Sequence, residues 1–246
     1  MRKLSEHSFE DGTRSLTVRI SEVKKEDYGL YVWPSSILLA EYIWQQRARF
    51  AGRKVLELGA GTALPGIVAA KVGADVVLTD HADRSEVFEN MKASCEINNV
   101  DCRIQGLTWG EWDVETCSLL DAGVDFVLGA DVIYQNTEFD DLFATVSYLL
   151  KGRPGSVFIT TYEKRSGHRS VEYLMAKWGL HCTTIIDVSD FEQTEKISSL
   201  PSSIQLIEIA PELILGFVGQ RRRSCPSSHE RRALLTRKKP SFLVVR

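Results

Sequence analysis

The chain has 246 residues, 43% hydrophobic and 26% charged, with a net charge of −3. Those values fit one soluble domain with a sizeable core. No stretch approaches the length of a membrane span and no apolar signal region opens the chain, so cytoplasm and nucleus are the expected setting. The five cysteines (Cys95, Cys102, Cys117, Cys182 and Cys225) are scattered. Without C-x-x-C spacing or clustered histidines, they argue against a structural zinc or disulfide framework and for buried free thiols. Charge is uneven. Residues 220–246 carry +8 and the remainder −11, and an acidic body favours a basic partner through its long-range field.

Residues 7–20 read as a strand pair, with Asp11-Gly12 as the turn and Leu16, Val18 and Ile20 alternating. A helix follows within 32–44, with Pro34 suited to its first turn. From residue 53 strand and helix patterns alternate. Strands are expected at 53–58, 75–79, 102–109, 124–131, 156–162, 180–188 and 204–210. Helices are expected at 63–72, 83–98, 137–151 and 167–178. The clearest is 137–151, where Phe139, Leu142, Phe143, Val146, Leu149 and Leu150 keep helical spacing. A polar loop spans 189–203. Such alternation implies an α/β fold, a mostly parallel sheet with helices on both faces. The last two strands lack an intervening helix and suit an antiparallel pair at one edge. The organisation expected is an N-terminal unit of strands and helix packed on the core (1–52), the α/β domain (53–210) and a basic, flexible tail (211–246) that could contact an anionic surface.

Residues 55–66, VLELGAGTALPG, are the centre of the pattern. An apolar strand runs into Gly59, Ala60 and Gly61, then into a helix-like run, which is how nucleotide-type ligands are bound at the edge of a parallel sheet. Asp80 ends the next strand, where an acid meets ribose hydroxyls; a helix N-cap or turn role is the competing reading. The residue three after Gly61 is Leu64, so the dinucleotide pattern G-x-G-x-x-G fails. Ligands in an open parallel sheet sit beyond the carboxyl ends of the strands. Topology alone therefore gathers Gly59, Gly61, Asp80, Thr108, Trp109, Ala130, Asp131, Tyr162 and Glu163. Trp109 offers an aromatic wall for an adenine, or closes the core as a loop aromatic. Trp33 reads as a core aromatic or as a lid residue beside a cofactor. Asp131-Val132-Ile133-Tyr134 reads either as a helix N-cap followed by core residues or as an acid that orients a cationic side chain beside a tyrosine that walls the pocket.

VWPSS (32–36), LELGAG (56–61), TD (79–80), TWG (108–110) and GADVIY (129–134) occur in this order and spacing. Over about residues 20–210 the chain resembles the family 16 protein methyltransferases, which are built around a D-x-x-Y/F motif. The resemblance implies a seven-strand Rossmann-like methyltransferase fold, S-adenosylmethionine as donor and a protein side-chain nitrogen as acceptor. Carried over by position, it places cofactor contacts at Trp33, Gly59, Ala60, Gly61, Asp80, Trp109 and Ala130, and substrate-side residues at Asp131 and Tyr134. No metal is implied. The family holds enzymes for lysine and for arginine, and the branch most resembled is associated with arginine in histone H3. The paired glutamates that grip guanidinium in dedicated arginine methyltransferases have no good counterpart in Glu111 and Glu115. Two other readings are a small-molecule methyltransferase and a cofactor-binding scaffold without turnover.

Overall fold

A computed structural model describes residues 2–23, 28–112, 114–121, 123–133, 139–163 and 171–212. Tyr134 and nearly all of the basic tail lie outside these residues. The first two strands, β1 (Arg2–Glu10) and β2 (Ser15–Val23), form an antiparallel pair that is longer than the sequence pattern suggests. Asp11 closes the turn by accepting from the backbone N–H of Thr13 and Arg14. Phe9, Val18 and Ile20 are buried.

Then come α1 (Pro34–Gln45), the short α2 (Arg47–Phe50), β3 (Lys54–Glu57), α3 (Leu64–Lys71), β4 (Asp75–Asp80) and α4 (Ser85–Ile97). The β1–β2 pair is tied to α4 by specific bonds. Ser21 N donates to Ser94 Oγ, Asn90 Nδ2 donates to Ser21 O, and the Asn98 amide exchanges bonds with Arg19. The chain continues through β5 (Arg103–Gly106), α5 (Val114–Asp121), β6 (Phe126–Ala130), α6 (Phe139–Lys151) and β7 (Val157–Glu163). It ends in α7 (Val171–Lys177), β8 (Leu180–Asp187), α8 (Glu195–Ser198) and β9 (Ile204–Pro211).

Strands β3 to β9 form one sheet in the order β5-β4-β3-β6-β7-β9-β8. The first five in that order are parallel. Strand β9 inserts between β7 and β8, antiparallel to both, so the expected antiparallel edge pair is present. One apolar cluster joins α1, α3, α4 and the β1–β2 pair; the other joins α5, α6 and α7. Leu142, Phe143 and Val146 on α6 are fully buried, each contributing roughly 1.5–3 kcal/mol.

Four expectations need correction. The third strand is only Arg103–Gly106, because its ladder to β4 ends where Asp80 pairs with Gly106; Thr108 and Trp109 lie in the loop beyond. Helix α5 interrupts a span with too little periodicity to announce it. The polar loop at 189–203 contains α8, capped by the Thr194 side chain. Finally, Cys117 is disulfide-bonded, whereas Cys95, Cys102 and Cys182 are free thiols. The sequence around Cys117 has no second cysteine close enough to signal a bond.

Candidate active site

Sheet order reverses at β3, from which β4 and β6 lead away in opposite directions, and ligands bind at such a switch point. A cleft of about 720 Å³ opens there. Its floor is the turn after β3. Gly59 and Gly61 have φ of +57° and +52°, which side chains disfavour. A Cβ at Gly59 would also lie 3.0 Å from Val132 Cγ1 and 3.3 Å from the Trp109 ring. The Trp109 indole therefore packs directly on this turn. Helix α3 starts close behind, since Gly66 packs against Leu78 and Glu57 with no room for a Cβ.

Asp80 sits at the end of β4, half-buried, and braces the turn. Its Oδ2 accepts from Gly61 N at 2.9 Å, and its Oδ1 accepts from His81 N at 2.9 Å. Burial pushes its carboxyl above the ordinary value, with those two N–H groups opposing. Each oxygen has a further lone pair for a ligand hydroxyl. Glu57 lies beneath, 1% exposed, and accepts from Gly66 N at 2.9 Å. Burial pushes its carboxyl up to about 8 against the Gly66 bond, and the nearby Asp80 charge adds to the rise. Glu57 is thus a neutral structural acid at pH 7, holding α3 to the turn.

Trp33 is the residue before α1 and lines the cleft, in edge contact with the exposed Tyr31 at 5.5 Å. Ala60 and Ala130 line it too. Asp131 follows β6 with φ +54°, a left-handed conformation uncommon for anything but glycine. Its N–H donates to Thr161 O at 2.7 Å. All seven predicted cofactor positions and Asp131 therefore border one cleft; Tyr134 lies outside the described residues. Tyr162 and Glu163 do not join them. Strand β7 continues through both because it pairs with β9 as far as Glu163 and Ile204. Tyr162 Oη then meets Gln205, and Glu163 meets Ser203.

The cleft has further lining residues that lie outside the motifs, among them His81, Arg84 and Asp141. Asp141 opens α6, beside Gly110, whose added Cβ would lie 2.6 Å from Asp141 Oδ1. Helical spacing exposed only the apolar side of α6, so this acid carried no signal. Among the described residues there is no cluster of His, Cys, Asp and Glu that could hold a metal, and no helix long and apolar enough to cross a membrane.

The fold is that of the S-adenosylmethionine-dependent methyltransferases. A solved enzyme of that class from Clostridium acetobutylicum superposes with a TM-score of 0.55 at 10% identity, over 74% of this chain and 93% of its own. A magnesium protoporphyrin IX methyltransferase from Synechocystis, solved with bound SAM, gives 0.52 at 13% identity, over 73% and 80%. A family model described as lysine methyltransferase matches residues 13–177. The chain belongs to that family, the family 16 methyltransferases. Among its relatives, the histone-arginine methyltransferase METTL23 of Xenopus laevis is 44% identical over 70% of this chain and 73% of its own length. The EEF1A lysine methyltransferase 3 of Xenopus tropicalis is 35% identical over 58% and 61%.

Proposed function

We propose that the chain transfers a methyl group from S-adenosylmethionine to a side-chain nitrogen of a protein, with arginine of a basic protein such as histone H3 as the first acceptor to test and lysine as the second. The observation that carries this reading is the convergence of the Gly59–Gly61 turn, Asp80 and Trp109 on one cleft that Asp131 also borders. The donor set fits the cofactor. Asp80 offers acceptors to ribose hydroxyls, the Trp109 and Trp33 rings offer aromatic walls to an adenine and a sulfonium, and the glycines of the turn from Gly59 to Gly61 bring backbone without side chains to the cleft for the methionine end. Ala60 and Ala130 leave the main chain approachable. When bound, the sulfonium supplies an activated methyl group.

The protein's own task is alignment and exclusion of water. Asp131 orients a cationic acceptor by charge. Glu111 and Asp141 border the same cleft and favour a cation over an anion there. Tyr134 is assigned to the acceptor side by the family motif. For arginine speaks the similarity to METTL23 of four vertebrates, 38–44% identical and each called a histone-arginine methyltransferase. For lysine speak the family description and relatives at 33–37% identity. The acidic body suits a basic protein substrate, and cytoplasm and nucleus are the compartments where such substrates are met. Incubation with labelled S-adenosylmethionine and core histones, followed by acid hydrolysis of the labelled band, tests the reading. Methylarginine is the expected product, methyllysine supports the second acceptor, and unlabelled histones refute the histone assignment.

A further inference from the structure

We propose that Thr161 is a positioning residue for methyl transfer, fixing the cofactor wall at Trp33 and Ser36 relative to Asp131 on the acceptor side. The proposal rests on the reading of the cleft given above. Thr161 lies on β7, fully buried. Its hydroxyl donates to Ser35 O at 2.8 Å, and its carbonyl accepts from Asp131 N at 2.7 Å. One residue thus holds two parts of the cleft that belong to distant stretches of chain.

Both partners stand where small shifts matter. Ser35 is in the first turn of α1, between Trp33 and Ser36, which line the cleft. By donating to Ser35 O, the Thr161 hydroxyl ties the first turn of that helix directly to β7. Asp131, on the other side, is in the left-handed region, where a backbone bond from its own N–H helps to set the direction of its carboxylate.

A strand at this position does not need a hydroxyl. Valine has nearly the same shape and suits a buried strand at least as well, and a buried hydroxyl is unfavourable unless bonded. The adjacent Thr160 gives an internal comparison. It is equally buried, yet its Oγ1 has no hydrogen-bond partner among the described residues. Thr160 therefore serves as the control for removing a buried β7 hydroxyl without removing the anchor.

The test uses the full chain and its Thr161→Val, Thr161→Ser and Thr160→Val variants. S-adenosylmethionine affinity is measured by titration calorimetry, and kcat and KM are measured on core histones. Thr161→Val is expected to weaken cofactor binding several-fold and to lower kcat roughly tenfold, the scale of a lost positioning bond. Thr161→Ser should restore both to within about twofold, and Thr160→Val should match the wild type. Wild-type kinetics in Thr161→Val overturn the proposal. So does failure of the serine variant to restore function, or an equal loss in Thr160→Val, either of which would mark a packing effect. If the wild type methylates no histone, the acceptor assignment fails separately. Cofactor affinity then decides, and an unchanged affinity in Thr161→Val overturns the positioning role.

Discussion

Glu57 gives the most direct test of how the glycine turn is held, through Glu57→Gln. The carboxyl is 1% exposed and titrates at about 8 in the folded chain, against an ordinary value of 4.5. Below pH 4.5 it is protonated in folded and unfolded states alike, and its contribution is fully present. Between 4.5 and 8 the unfolded chain releases the proton while the folded chain keeps it. Stability therefore falls as pH rises through that window, by about 1.4 kcal/mol per pH unit for one such group. From pH 5 to pH 7 the loss is about 2–3 kcal/mol. Glutamine keeps the carbonyl that accepts from Gly66 N and cannot ionise. Urea unfolding of both proteins at pH 5 and pH 7 isolates the group, since every other titration is common to the pair. The wild type should lose about 2–3 kcal/mol relative to Glu57→Gln over that interval. A pH-independent difference between the two would mean that Glu57 is ionised in the folded state, and the reasoning from burial would be refuted.

Gly66→Ala should destabilise by roughly 1–3 kcal/mol in chemical unfolding, because the new Cβ meets Leu78 and Glu57 and its helix-propensity gain is only about 1 kcal/mol. Asp80→Asn should raise the dissociation constant for S-adenosylmethionine roughly tenfold in calorimetry and cost about 1–3 kcal/mol in unfolding, since the amide oxygen can accept from only one of the two backbone donors and the NH2 faces the other. Glu208 accepts from Tyr42 Oη and is paired with Arg49, whose guanidinium stacks on Phe126. Burial works against its charge, but the Arg49 and Tyr42 bonds outweigh it and lower its pKa. Arg49→Ala, which strands the nearly buried Glu208 carboxylate, should cost about 2–4 kcal/mol, visible as a lowered unfolding midpoint, while Glu208→Ala, which leaves the partly exposed Arg49, should cost less.

The parts of the fold legible in the sequence were those written in a repeating period or in a glycine turn. Strand β3 with its turn, β4 ending in Asp80, and the apolar face of α6 carry both kinds of signal, and the α/β architecture follows from them. The boundary of β5 was not legible, because strand ends depend on where the neighbouring strand stops, and Asp80 stops first. Tyr162 and Glu163 misled for the same reason. Whether a strand continues past the cleft depends on β9, about 40 residues away in sequence. In the site, residues that follow a strand end were found, as Trp109 and Asp131 show. Asp141 and Thr161 were not, because packing alone sets their surroundings: Asp141 at the cleft beside Gly110, and Thr161 bonded to Ser35 and Asp131.

The central claim is transfer of a methyl group from S-adenosylmethionine to a protein through this cleft. The measurement that tests it most directly is incubation of the purified chain with radiolabelled S-adenosylmethionine and a protein extract, beside its Asp80→Ala and Asp131→Ala variants. Label in discrete protein bands, abolished by both substitutions, is the predicted result. Absence of label from protein, with cofactor binding measurable in the wild type and weakened in Asp80→Ala, would contradict the claim and leave a cofactor-binding chain whose acceptor is not a protein.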